Sequence, residues 1–125
     1  MSGLLLDTHV LLWSIGDTDR LSPEALDVLG AGVVPAFVSA ASVWEIAIKR
    51  ASGKLKAPED LLAKVAAARF GELRISFEHA TRAGALPPHH GDPFDRMLVA
   101  QAQSEGLTLV TSDARMAAYD VPLLW

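Results

Sequence analysis

A chain of 125 residues, half of them apolar and with a mean hydropathy of +0.26, holds enough material for one domain around a buried core. It has no cysteine, which excludes a disulfide framework and thiolate chemistry and fits a reducing compartment. A formal charge of −4 carries no whole-chain signature of nucleic-acid binding, yet acids gathered around a cation cease to act as repulsive charge.

No stretch approaches the roughly 20 apolar residues that span a bilayer, and the start carries no basic leader region. A cytoplasmic domain over residues 1–125, with no membrane partner, is therefore expected. The apolar surplus points either to a compact core or to a surface covered by a partner or a second copy.

Leu4, Leu5 and Leu6 form a wholly apolar run, the mark of a strand buried on both faces. The run stops at Asp7, and Thr8 to Ile15 reads as a helix. Gly16 to Asp19 is a polar turn. Ser22 then caps a helix with Pro23 at its first position, ending near Gly30 and Gly32. Ala36 to Ser39 is a second buried strand, with Pro35 tolerated at its start. A helix through Trp44, Ile46 and Ile48 follows and stops near Gly53. Pro58 opens another, whose stripe is Leu62, Val65, Ala66 and Phe70 and which Gly71 closes. Leu73 to Ile75 is a short third strand, and Ser76 caps a helix through Ala80 to Gly84. Pro87-Pro88 breaks the chain and leaves His89 and His90 in a loop, by default on the surface and alternatively in contact with substrate. Asp92-Pro93 starts a strongly marked helix reaching Gly106. Leu107 to Thr111 is a clear strand, a last helix ends near Tyr119, and Val121 to Leu124 completes a fifth strand.

Short apolar strands alternating with helices demand an α/β fold, a parallel sheet covered on both faces. With the first strand in the middle, the topological switch point lies at its carboxyl end, where open α/β sheets hold their ligands. Asp7 stands there.

Acids mark the other junctions able to face that point. Glu45 lies in the helix after the second strand, Asp95 in the first turn of the Pro93 helix, and Asp113 beyond the strand ending at Thr111. Carboxylates packed together repel and take up protons unless a cation neutralises them. Oxygen donors without Cys suit Mg²⁺ or Mn²⁺, which activate water and stabilise charge on phosphoryl groups. Each acid also has a structural reading. Asp92 is an ideal N-cap, Asp95 favours the helix dipole, Ser42 and Glu45 have capping-box spacing, and Asp113 or Ser112 can cap the last helix. Asp7 is the hardest to dismiss, and their joint placement carries the reading.

Around them, His9 reads as a packing residue near Asp7. Lys49, Arg50, Lys54 and Lys56 form a basic patch, by default a solvated face and alternatively a phosphate track. Arg96 and Arg115 each adjoin a site acid and either pair with it or contact phosphate. Trp13 and Trp44 read as core or interface.

Four segments in order then acquire a common meaning: Leu5-Leu-Asp7-Thr-His-Val-Leu-Leu-Trp13, Ser39-x-x-Ser-x-Trp-Glu45-Ile-Ala-Ile-Lys49, His90-Gly-Asp-Pro-Phe-Asp95-Arg-Met-Leu-Val-Ala-Gln-Ala102, and Leu109-Val-Thr111-Ser-Asp113. Together they resemble the PIN-domain nucleases, and within them the VapC-type toxins of bacterial toxin–antitoxin pairs. The resemblance covers nearly the whole chain. It implies a PIN-like domain with a central parallel five-stranded sheet and helices on both faces, acting as an Mg²⁺- or Mn²⁺-dependent endoribonuclease on RNA. By the same resemblance Asp7, Glu45, Asp95 and Asp113 form the catalytic, metal-binding quartet, Asp7 and Asp95 being its primary ligands. Thr111 and Thr8 match positions that steady it, with Asp92 and Arg96 in supporting places. Asp113 stands where many relatives have Asn, so its link to the metal is through water in one version. A homodimer, neutralised by a cognate antitoxin, is implied as well.

Rival readings make different demands. A haloacid-dehalogenase-type phosphohydrolase needs an Asp two residues after Asp7, where this chain has His9. A receiver-like signalling domain needs a late strand-end Lys, and no Lys follows Lys64. Paired histidines activating a 2′-hydroxyl would cleave RNA without metal, and a non-catalytic RNA-binding module would not cleave it.

Overall fold

Leu4, Leu5 and Leu6 have no exposed surface, because the strand they form, β1 (Leu4–Leu6), lies in the middle of a parallel sheet. The structure, a computed structural model, describes residues 2–125. Flanking β1 are β2 (Ala36–Ser39) and β4 (Thr108–Val110), with β3 (Gly71–Leu73) and β5 (Leu123–Leu124) at the two edges. The strand order is 3-2-1-4-5 and every pairing is parallel. Leu5 stands opposite Phe37 on one side and Leu109 on the other. A receiver-type sheet has the order 2-1-3-4-5, so the signalling alternative fails on topology.

The period-2 alternation of β1 assigns its leucines to two separate cores. Leu4 and Leu6 pack with Val10, Leu11, Ala25, Ile46 and Leu61, which come from α1 (Thr8–Gly16), α2 (Pro23–Ala31), α3 (Ala40–Ala51) and α4 (Leu61–Ala67). Leu5 packs the other way, against Leu98, Val99 and Ala102 of α6 (Pro93–Glu105) and against Met116. The remaining helix, α5 (Phe77–Ala85), lies against α6. Each leucine buried this completely contributes about 1.5–3 kcal/mol, and that anchoring holds the carboxyl end of β1 in place.

Most elements fall where the sequence puts them, and the departures have local causes. The third strand is Gly71–Leu73, not Leu73 to Ile75, because Gly71 pairs with Phe37. A Cβ at Gly71 would approach that ring to 2.8 Å, so this glycine serves the sheet instead of closing a helix. The helix expected from Pro58 to Phe70 is confined to Leu61–Ala67, since Arg69 turns the chain with φ 62° and takes Phe70 out of the stripe. Leu62, expected on the buried face, is 66% exposed. The last helix is a 3₁₀ turn over Ala114–Ala118, with Tyr119 already extended.

Candidate active site

Asp7 follows directly on β1 and is the N-cap of α1, its Oδ1 accepting the Val10 N–H at 2.8 Å. Its own N–H donates to the Val110 carbonyl of β4, so the junction is fixed from two strands. The residue is buried. Burial pushes its pKa above the ordinary carboxylate value, while the Thr111 hydroxyl, the Val10 N–H and the nearby His9 pull the other way. Asp113 adds repulsion. Thr111 also accepts the Asp113 N–H at 3.0 Å, so one side chain steadies two of the four acids.

The capping box expected of Ser42 and Glu45 does not form. Helix α3 starts three residues earlier than that pattern requires, at Ala40, and Ser39 is its cap through the Ala41 N–H. Ser42 is left inside the helix with a buried, unpartnered Oγ. Glu45, 4% exposed, is therefore free of any capping duty. Its Oε1 accepts the Thr8 hydroxyl at 2.6 Å, and its other oxygen pairs with Lys49 one turn on. Thr8 thus steadies Glu45 across 37 residues of chain.

At the start of α6, Asp92 behaves as the cap the sequence promises, with Oδ1 accepting from Phe94 N–H at 2.8 Å and Asp95 N–H at 3.2 Å. The Asp95 carboxylate is turned away from that cap. Its Oδ2 lies 3.2 Å from His90 Nε2, which is also 3.5 Å from Asp113 Oδ2. The pKa of Asp95 rises to about 6, first through burial and then through the negative charges of Asp92, Glu45 and Asp7, with His90 opposing. The charges of Glu45 and Asp7 thus reach Asp95, although the ligand atoms that converge to within 4.8 Å are those of His90, Asp95 and Asp113 and not those of Asp7 or Glu45. Asp113 behaves differently, because Arg115 clasps it with Nε at 3.0 Å and Nη2 at 2.8 Å and holds its pKa down to about 2.

His90 departs from the surface position that its loop suggests by default. Its side chain is 6% exposed, and His90, Asp95 and Asp113 have ligand atoms within 4.8 Å of one another. The Asp92 N–H donates to Nδ1, so Nε2 carries the ring proton. Nε2 points between two carboxylates without hydrogen-bonding geometry to either. No periodicity marks this residue. The available signal was position alone, two residues before an N-cap whose own N–H needed an acceptor.

Arg96 is also corrected. It turns away from Asp95, and its guanidinium donates at 3.0 Å to the carbonyls of Ala83, Leu86 and Pro87, tying the end of α5 to the loop that carries His90. Arg96→Ala is expected to cost about 2–3 kcal/mol, since charge-assisted bonds to partly buried carbonyls are lost. A urea titration reads this directly, and an unchanged midpoint would mean that the clasp contributes nothing. Trp44, expected in core or interface, is 61% exposed and meets Phe94 edge-on at 5.4 Å, so an aromatic rim adjoins both Glu45 and Asp95.

A divalent cation fits these donors. Asp7 and Asp95 are carboxylates made costly as anions by burial, and a cation beside them removes that cost. With His90 Nε2 protonated the set offers oxygen alone, the preference of Mg²⁺ or Mn²⁺ and not of zinc.

A family model described as the PIN domain matches residues 4–122. The chain belongs to the PIN-domain family. It is 31% identical over 125 residues to Ribonuclease VapC22 of Mycobacterium tuberculosis, covering 98% of this chain and 95% of that protein. Among solved structures, the DNA-bound VapBC of Salmonella typhimurium superposes with a TM-score of 0.73 at 21% identity, over 99% of this chain and 98% of the other. VapBC2 of Rickettsia felis, bound to a DNA fragment from their promoter, gives 0.72 at 17% identity, over 97% and 96% of the two chains. These structural likenesses carry the five-stranded fold.

Proposed function

We propose that this chain is a divalent-metal-dependent endoribonuclease, the toxin half of a toxin–antitoxin pair, hydrolysing RNA phosphodiester bonds. The observation carrying the reading is the gathering of acids at the switch point. Asp7 and Glu45 are buried there, and Asp95 and Asp113 converge with His90 to within 4.8 Å. Burial and then the charges of Asp92, Glu45 and Asp7 raise Asp95 to about 6. The likeness to a protein named a ribonuclease supports the substrate class, and the VapBC assemblies among its structural neighbours support an antitoxin partner. The exposed Trp44, Leu62 and Phe77 are apolar surface that such a partner or a second copy would cover.

In this scheme Asp7 and Asp95 would hold Mg²⁺ or Mn²⁺, and Glu45 and Asp113 would complete the site directly or through water. The bound cation supplies an acidified water and offsets charge on the phosphate. Thr111 keeps Asp7 and Asp113 in register, and Thr8 does the same for Glu45. His90 presents its unpartnered Nε2–H beside Asp95 and Asp113, where it would donate to a phosphate oxygen of the substrate.

The test uses purified protein, RNA, and either Mg²⁺, Mn²⁺ or EDTA, with the product ends identified. Cleavage leaving 5′-phosphate and 3′-hydroxyl ends, abolished by EDTA and restored by excess Mg²⁺, is expected. Cleavage that survives EDTA and leaves cyclic phosphates would replace this scheme with the paired-histidine route.

A further inference from the structure

An open cleft of about 610 Å³ adjoins the acid cluster and takes no part in the chemistry above. His9 and Ser112, both exposed, belong to its lining. His9 follows Asp7 by two residues and bears on its charge, and Ser112 sits between Thr111 and Asp113. Trp13, Arg20 and Lys56 line the same cleft. Among the described residues neither Arg20 nor Lys56 is in an ion pair, whereas Lys49, Arg50 and Arg115 each have an acidic partner. Asp17 is the single acid of the lining. A chain of net charge −4 therefore gathers two free cations in the cleft leading to its most acidic spot.

We infer that this cleft is a subsite for single-stranded RNA on one side of the scissile phosphate. Arg20 and Lys56 hold the backbone phosphates, and the Arg20–Trp13 stack supplies a flat face for a base. The inference rests on the nuclease reading and names where its substrate lies. The Arg20 guanidinium sits 5.2 Å from the centre of the Trp13 ring, which also meets His9 at 5.9 Å and Trp125 at 5.8 Å. Held on that ring, the guanidinium is pre-oriented, its donor edge free for phosphate and its plane free for stacking. A bare cation patch would recruit duplex equally well. A cation placed over an aromatic ring favours unpaired bases, which can splay out to stack.

The experiment measures anisotropy of a fluorescein-labelled 12-nucleotide single-stranded RNA on the Asp7→Asn protein in Mg²⁺, across a salt series. It is paired with steady-state cleavage by the otherwise wild-type enzyme. Arg20→Ala with Lys56→Ala is expected to weaken binding at least tenfold and to flatten the slope of log Kd against log salt by about 1.4, the share of two single-strand phosphate contacts. In the active enzyme the same pair should raise KM far more than it lowers kcat. Arg20→Lys should restore the salt slope but not the full affinity, because it keeps the charge and loses the stack. Arg82→Ala, on α5, serves as the control for general loss of positive charge. Unchanged KM and salt slope in the double variant, beside normal cleavage by wild type, would overturn the cleft and leave the nuclease standing. Tighter binding of duplex than of single strand would also overturn it. Failure of wild type to cleave RNA with any divalent ion would instead remove the nuclease reading and this subsite with it.

Discussion

Asp7→Asn is expected to lower RNA cleavage by at least about 100- to 1000-fold while leaving the fold intact. A cation at such a site supplies several kcal/mol of charge stabilisation, and each 1.36 kcal/mol is tenfold in rate. Asn is the informative replacement because the carboxylate has two duties. The Oδ1 that accepts the Val10 N–H caps α1, and an amide oxygen accepts that bond as well. What Asn removes is the charge facing the site. Asp7→Ala would also forfeit about 1 kcal/mol of capping and so confuse the two roles. Initial rates, far-UV circular dichroism and a calorimetric Mg²⁺ titration check the three parts of the expectation. A variant that folds, binds Mg²⁺ as wild type does and cleaves at full rate would remove Asp7 from the chemistry.

How much of this was legible before the structure depends on the kind of signal each residue leaves. The three leucines of β1 announce a doubly buried strand, and Ser22-Pro23 and Asp92-Pro93 announce helix starts, because apolar burial and capping act over a few neighbours. The positions of the acids at strand–helix junctions were legible for the same reason, since local chemistry marks those junctions. Partner choice was not. Whether Glu45 answers to Ser42 or to Thr8 depends on where α3 begins, and Ser39 competes with Ser42 for that start with the same chemistry. The earlier cap wins, which leaves Glu45 without a capping duty and bonded to Thr8. His90 and Arg96 were misjudged because their partners belong to other elements. His90 is buried between Asp95 and Asp113, and Arg96 reaches back to α5. Gly71 looked like a helix stop, and only the facing Phe37 ring gives the glycine its reason.

Asp95→Asn should produce opposite effects on activity and stability. Loss of a ligand lowers cleavage, as at Asp7. In EDTA at pH 8, however, the variant should be more stable than wild type by about 1–3 kcal/mol, several degrees in Tm. Asp95 has its pKa raised from 3.8 to about 6 in the folded protein. The native state therefore binds this proton more tightly than the unfolded chain, and stability falls as pH rises from about 4 through 6, then levels off. Asp7 is displaced in the same direction. Asp113 works oppositely and lower down. Held to about 2, it stabilises above pH 4, and that contribution is lost as pH falls toward 2. Between pH 4 and 7 the difference between wild type and Asp95→Asn thus isolates the crowded carboxylate. It is reduced only by the fraction of a kcal/mol that an acid in the first turn of α6 gains from the helix dipole. Mg²⁺ should reverse the order, stabilising wild type at pH 8 far more than at pH 5 and the variant little at either. Thermal melts at four pH values, with EDTA or with Mg²⁺, contain the whole comparison. A metal-free variant that melts below wild type at pH 8 would mean that neither burial nor the neighbouring acids make the Asp95 charge costly, leaving it without a reason to recruit a cation.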